Sequence, residues 1–234
     1  MGKNKLERWA EMATFNNVIQ HADEAGYGKN HPVKGKWRTS VFKNPDPLIL
    51  ELGCGRGEYT ISLASRFPEK NYVGVDIKGA RMWRGAKSAR DLNLQNAFFL
   101  RTRIEFINSF FDENEVDEIW LTFPDPQNEK KNSNKRLTCP WFLNAYRNIL
   151  KDNGVVHLKT DNSELFRYTL NLAQYNRLHI LEATDDLHNH LPDNDILRIR
   201  THYEDKFLRE GLKINYIAFA LRKNIIITDA AAEE

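Results

Sequence analysis

Apolar positions along this chain follow two rhythms that take turns. Short runs rich in Val, Ile, Leu and Phe occur at Leu48–Leu52, Tyr72–Ile77, Ala97–Leu100, Glu118–Thr122, Val155–Lys159, Leu178–Ala183 and Ile214–Leu221. Several are apolar on both faces, as strands buried in a parallel sheet are. Between them, spacings of three and four residues predict helices over 57–66, 79–92, 103–110, 140–150, 163–175 and 202–210. Strand and helix in alternation mean βαβ units with right-handed crossovers. The expected fold class is α/β, a doubly wound sheet built from these seven strand candidates. In such sheets ligands sit beyond the carboxyl ends of the strands.

Ahead of this pattern, Leu6, Trp9, Met12, Phe15 and Val18 stand at helical spacing and predict one helix over 4–22. Gly26, Gly28, Pro32, Gly35, Pro45 and Pro47 then predict a loop over 26–47. The chain therefore divides into an N-terminal helix and basic linker (1–44), a main domain (45–224) and a short tail (225–234). The longest apolar runs, such as Tyr216–Leu221, fall far short of the roughly 20 residues of a membrane span. The N-terminus lacks the apolar stretch of a secretory signal. Cys54 and Cys139 form neither a metal-ligand spacing nor a disulfide framework, so no metal is expected, and reduced thiols in a cytoplasmic protein are the simple reading.

Charge changes the picture through its distribution, since the net value is only +2. Lys29, Lys34, Lys36 and Arg38 fall in a stretch with no acid, and Arg81, Arg84 and Lys87 recur every three residues. Such a face suits a polyanion or is simply a solvated helix surface.

Chemistry concentrates after the strands. The first runs into ELGCGRGEY, with Gly53, Gly55 and Gly57 at alternate positions and Glu51 at the strand's end. The second ends in Asp76, where a carboxylate commonly accepts from ribose hydroxyls. The dinucleotide fingerprint would need a third glycine where Glu58 stands, and a carboxylate there would face a pyrophosphate. A nucleoside with a positive tail and no phosphate fits better, with Glu51 serving the tail. The plainer alternative is a tight turn and a solvated carboxylate. After the fourth strand, Asp125 lies between Pro124 and Pro126, which stiffen its segment, and Lys130, Lys131, Lys135 and Arg136 follow. Cations for phosphates beside a carboxylate for a base edge make a nucleic-acid site, or the carboxylate merely caps a turn. Asp161 ends the fifth strand; Thr201, His202, Tyr203 and Glu204 open the last helix, where Thr201 and Glu204 can form a capping box.

Taken together, FPDP followed by a basic loop ending in KRL (123–137), with ELGCGRGEY, GVDI, KTDN and THYE in order, resembles the bacterial tRNA (guanine-N7-)-methyltransferase family over about residues 45–222. The resemblance implies a class I, Rossmann-like methyltransferase fold, a doubly wound sheet of seven strands that are mostly parallel with the last antiparallel, and methyl transfer from S-adenosyl-L-methionine to N7 of guanosine 46 in the tRNA variable loop. It leaves monomer and homodimer open. By position it implies cofactor contacts from Glu51, Gly53, Gly55, Gly57, Asp76 and Asp125, with Asp125 as the catalytic carboxylate; adenine is held either through backbone groups or by stacking on Arg103, which departs from the family pattern. It implies substrate contacts from Lys130, Lys135, Arg136, Asp161, Thr201, His202, Tyr203 and Glu204. Two departures stand out. Arg103 and Ile104 occupy the place of an Asp-Ala pair beside adenine, and Glu129 stands where a substrate-contacting Lys is expected. Three other readings remain: a nicotinamide dehydrogenase, a non-catalytic RNA-binding protein, and a methyltransferase with another acceptor.

Overall fold

The computed structural model describes residues 3–20, 29–191 and 193–229, without the side chains of residues 3–5 and Lys130. Gly26, Gly28, the end of the expected first helix and the last residues of the tail lie outside the described residues. The chain forms two compact units, 1–115 and 116–234.

In the first unit, α1 (Lys3–Met12) leads to β1 (Val18–Gln20), followed by β2 (Leu48–Leu52), α2 (Glu58–Arg66), β3 (Asn71–Asp76), α3 (Gly79–Asp91) and β4 (Ala97–Arg101). These strands are parallel in the order β1-β4-β3-β2. Every residue of β2 and β3 is buried, which explains why both faces of these runs are apolar. The helix α3 turns Met82, Gly85, Ala86 and Ala89 inward and leaves Arg81 and Arg84 exposed, as its three-and-four spacing requires.

The single helix expected over 4–22 is corrected here. α1 stops at Met12, and the β-branched pair Val18–Ile19 joins the sheet edge alongside Phe99 and Leu100. Phe15 keeps the helical rhythm only by accident: it is buried from the turn after the helix, beneath Arg90 at 4.3 Å. This strand makes eight among the described residues rather than seven. The loop expected over 26–47 is corrected in part. Trp37–Phe42 form a π-helical turn with both end residues buried. Glu115 Oε1 accepts from Trp37 N (3.0 Å) and Glu115 Oε2 from Gly35 N (2.9 Å), while Trp37 Nε1 donates to Phe110 O (2.9 Å).

The second unit holds β5 (Val116–Thr122), α4 (Pro140–Ile149), β6 (Leu150–Thr160), α5 (Ser163–Tyr175), β7 (His179–Thr184), α6 (Leu187–His190), α7 (His202–Arg209) and β8 (Asn215–Leu221). Its strand order is β5-β6-β8-β7, and β8 runs antiparallel to both neighbours, as the family resemblance implied for the last strand. Local chemistry sets the helix starts. Pro140 opens α4 where a missing N–H costs nothing, and Asn162 caps α5 by accepting from Leu165 N at 2.8 Å.

Candidate functional site

Each unit carries one set of predicted residues at the carboxyl ends of its strands. In the first, β2 runs into a turn whose glycines all have positive φ: Gly53 at 79°, Gly55 at 55° and Gly57 at 69°. The turn is tied to β3, since Gly53 N and Cys54 N both donate to Val75 O (2.8 and 3.1 Å). Gly55 and Gly57 do different work. A Cβ on Gly55 would meet only the Gly53 carbonyl at 4.0 Å, so this position borders open space. A Cβ on Gly57 would lie 2.5 Å from Phe99 Cε1, so that glycine lets α2 pack on the sheet.

Asp76 faces the same turn. Its Oδ2 accepts from Gly55 N (2.9 Å) and its Oδ1 from Lys78 N (2.7 Å), so backbone donors fix the carboxylate on both sides. Each oxygen retains a further lone pair for a ligand hydroxyl. Next to it, Ile77 is an apolar side chain left 49% exposed. Sequence reading missed Ile77; the signal was an isoleucine just past a buried strand's acidic end. Glu51 is buried, and its Oε2 accepts from Thr60 N (2.8 Å) and from the Thr60 hydroxyl. It therefore anchors the first turn of α2 and keeps a negative charge beneath the glycine turn. Burial, and then Glu51 and Asp76, push the Cys54 thiol well above its ordinary pKa, so it stays protonated. Arg103 is exposed, just after β4.

In the second unit, β5 ends in Thr122, and Phe123 turns the chain with φ of 50°. Asp125 is exposed, and its Oδ1 accepts from Gln127 N at 3.1 Å, closing a turn in which Gln127 has φ of 49°. Arg136 grips that turn from behind. Its Nε donates to Pro126 O (3.2 Å), its Nη2 donates to Gln127 O (3.4 Å), and its guanidinium stacks over Tyr168 at 4.6 Å. The guanidinium expected to face phosphate thus spends two donors inside the protein. Lys135 is exposed and donates to Asn132 Oδ1 (2.9 Å). Glu129 pairs with Lys131 at 3.0 Å and accepts from Asn132 Nδ2, so the departure noted in the sequence is neutralised within its own loop. Lys130 stands in the 3₁₀ turn Lys130–Lys135.

Asp161 follows β6, half-buried, and loss of solvation raises its pKa above the ordinary value. Beside it, Asn162 Nδ2 reaches Asn128 Oδ1 at 3.3 Å and ties the loop after Asp125 to this strand end. Thr201 caps α7 as predicted, its hydroxyl accepting from Glu204 N at 3.2 Å. His202 and Tyr203 are exposed. The reciprocal half of the expected capping box is not formed. Glu204 is fully buried, with Oε2 at 2.8 Å from Lys159 Nζ and Oε1 at 3.0 Å from His188 Nε2. The Lys159 contact is a charge-to-charge approach off the ideal hydrogen-bond direction. Burial lowers the Lys159 pKa, opposed by Glu204. Packing of Phe207 against Phe123, with ring centroids 5.8 Å apart, fastens α7 to the end of β5.

The linker cations divide in the same way. Lys36 is exposed, whereas Arg38 donates to Asp46 O (3.1 Å) and Glu115 O (2.6 Å). Lys34 donates to Asn30 Oδ1 (3.2 Å), and Lys87 reaches Glu11 on α1 (3.3 Å). Among the described residues, no group of His, Cys, Asp and Glu is arranged to hold a metal ion, and no helix is long and apolar enough to cross a membrane.

A family described as "Putative methyltransferase" matches residues 45–217. The chain is 49% identical over 221 residues to a tRNA (guanine-N(7)-)-methyltransferase of Bacteroides fragilis, covering 94% of this chain and 87% of that protein. It is 46% identical over 233 residues to the enzyme of the same name from Bacteroides thetaiotaomicron, covering 100% and 92%. Among solved structures it resembles the 16S rRNA methyltransferase KamB, with a TM-score of 0.62 and 13% identity over 88% of this chain and 98% of that one. An antibiotic-related methyltransferase gives a TM-score of 0.61 at 16% identity, covering 83% and 96%. At such identities the two structures speak to the fold alone, which is that of methyltransferases.

Proposed function

The chain belongs to the tRNA (guanine-N(7)-)-methyltransferase family, and from that premise we propose that it moves a methyl group from S-adenosyl-L-methionine to N7 of guanosine 46 in the tRNA variable loop. S-adenosyl-L-homocysteine is then the second product. Methyltransferase folds serve many acceptors, so the acceptor is argued from the residues and the relatives rather than from the fold.

The first unit suits the cofactor. Asp76, held by Gly55 N and Lys78 N, is pre-set to accept from the ribose hydroxyls, and exposed Ile77 offers an apolar face to adenine. The open space at Gly55 lets a ligand approach the backbone. Glu51 supplies negative charge near an amino-acid tail, and Glu58 in the first turn of α2 disfavours a dinucleotide's pyrophosphate. When bound, S-adenosyl-L-methionine supplies an electrophilic methyl on a sulfonium. Arg103, exposed after β4, is assigned to the adenine edge.

The second unit suits the acceptor. Guanine N7 carries an in-plane lone pair and no proton, so no general base is needed. What the chain must do is hold the purine still and in line, and offset the positive charge that builds on it. Asp125 does this through the guanine N1–H and amino donors, from a turn fixed by Gln127 N and by Arg136. Asp161, Thr201, His202 and Tyr203 complete the acceptor surface. The exposed Lys36, Arg81, Arg84 and Lys135, together with Lys34, supply salt-dependent attraction for the RNA backbone. The buried free thiols of Cys54 and Cys139 fit a cytoplasmic setting.

The observation that carries this reading is the exposed, immobilised Asp125 carboxylate on a proline-bounded turn in a chain of this family. The test is incubation with labelled S-adenosyl-L-methionine and unmodified tRNA, followed by nucleoside analysis. Label in 7-methylguanosine at position 46 is expected. Label in another nucleoside, or none, refutes the assignment.

A further inference from the structure

We propose that Lys159 is a positioning residue for acceptor recognition: its buried ammonium sets where Thr201, His202 and Tyr203 stand relative to Asp161. The proposal rests on reading that segment as an acceptor surface.

Lysine is almost never fully buried unless paired, yet Lys159 is 0% exposed near the end of β6. Its ammonium has three N–H groups. Two donate to Leu197 O (2.9 Å) and Ile199 O (2.8 Å), and Glu204 Oε2 lies 2.8 Å away. The two carbonyls belong to a stretch before α7 that is neither helix nor strand. Its own turns satisfy the Arg198 and Ile199 amides, through Asn194 O and Ile196 O, whereas the Leu197 and Ile199 carbonyls take their bonds from Lys159. Lys159 supplies them on one side of Thr201, at 197 and 199, and grips the other side through Glu204. The exposed His202 and Tyr203 lie between the grips.

The same residue is tied to the strand tips. Its carbonyl accepts from Phe123 N (2.8 Å), two residues before Asp125, and Asp161 follows it by two. One residue thus sets a distance between three pieces of chain that hold predicted acceptor contacts. His188 on α6 completes the arrangement at Glu204 Oε1. The family resemblance implied that Glu204 touches substrate, but a carboxylate with no exposed surface acts through Lys159 instead.

Removing one partner alone would strand a buried charge and threaten the fold. Replacing both with apolar side chains of similar volume is often neutral or stabilising. The test is therefore the pair Lys159→Met/Glu204→Leu, with Glu204→Gln beside it. The double variant leaves the Leu197 and Ile199 carbonyls without their donor, so its melting temperature is expected to fall by several degrees while its calorimetric affinity for S-adenosyl-L-homocysteine is kept. Its kcat/KM for tRNA is expected to fall about tenfold or more, mainly through KM. Hydrogen exchange at the amides of Arg198, Ile199 and Glu204 is expected to quicken while the strands stay protected. Glu204→Gln, which keeps an acceptor for Lys159, is expected to fall between wild type and the double variant. A folded double variant with tRNA KM and kcat within twofold of wild type overturns the proposal. Parallel losses in melting temperature and nucleoside affinity also overturn it, because they mark a lysine that supports the whole fold. If the wild-type protein methylates no tRNA, the functional reading fails separately and exchange alone decides. Faster exchange confined to those three amides then supports the clamp, and unchanged exchange refutes it.

Discussion

Arg136 offers a sharp choice between two roles, and its substitution tells them apart. A surface cation that meets phosphate contributes charge, which Lys can replace. A clamp on the Asp125 turn contributes geometry, which Lys cannot, because one ammonium does not reproduce the planar fork that spans the Pro126 and Gln127 carbonyls over Tyr168. Hydrogen bonds from a charged donor contribute roughly 1.5–3 kcal/mol each; at 3.2 and 3.4 Å these two belong at or below the weak end. The stacking adds about 0.5–1 kcal/mol. A total near 3 kcal/mol lost from the turn corresponds to about a 100-fold fall in kcat/KM, if the open turn is inactive. Arg136→Ala and Arg136→Lys are both expected to show most of that fall in a steady-state methylation assay across a salt series. Their salt slopes should stay close to wild type, and their melting temperatures should fall by at most about 6–12 °C, the equivalent of that roughly 3 kcal/mol. A Lys variant with near wild-type turnover, or an Ala variant whose whole defect is a flatter salt slope, refutes the clamp.

Three further outcomes follow from the same geometry. Gly57→Ala forces a Cβ to 2.5 Å from Phe99 at φ of 69°, and overpacking plus backbone strain should cost about 3 kcal/mol, lowering the melting temperature by about 6–12 °C; Gly55→Ala should cost far less stability but weaken S-adenosyl-L-homocysteine binding in calorimetry. Asp125→Ala should lose most turnover while the affinity for S-adenosyl-L-homocysteine falls less, and a variant methylating at near wild-type rate would rule out its role. Asp161 binds its proton more tightly folded than unfolded, so its contribution to stability declines as pH rises from its unfolded value through its raised folded one. Asp161→Asn should therefore melt higher than wild type at pH 7, with the gap closing below the ordinary aspartate pKa; equal melting curves at pH 7 would contradict the burial argument.

Strands buried on both faces and amphipathic helices were legible in the sequence because burial writes its own period. The helix 163–175 was read to the residue, and the strand Leu48–Leu52 likewise. Short elements were not legible. Three residues of β1 cannot outvote a helical rhythm that runs on from α1, and a π-helical turn has a spacing that no common pattern announces. The pattern starts the fifth strand at Val155, whereas β6 begins at Leu150, because the polar Lys151–Asn153 carry no apolar signal. At the candidate site, residue types and order were legible, but the direction of charged side chains was not. Arg136 and Glu204 point inward to protein partners, and Lys159 went unnoticed, because a letter in a sequence does not say which neighbour meets it.

One aromatic ring acts as a shim within the first unit. Gly57, Gly74 and Gly85, drawn from a turn, a strand and a helix, all lie within a Cβ's clash distance of Phe99. The thickness of that ring therefore dictates how near α2 and α3 come to the strands, and all three glycines answer to one residue. Trimming it, as in Phe99→Leu, would relieve the closest contacts of an alanine at Gly74, whereas Gly85 would still meet the Arg56 carbonyl at 2.7 Å and Gly57 would keep its left-handed strain, so only one of the three positions is repairable from this ring.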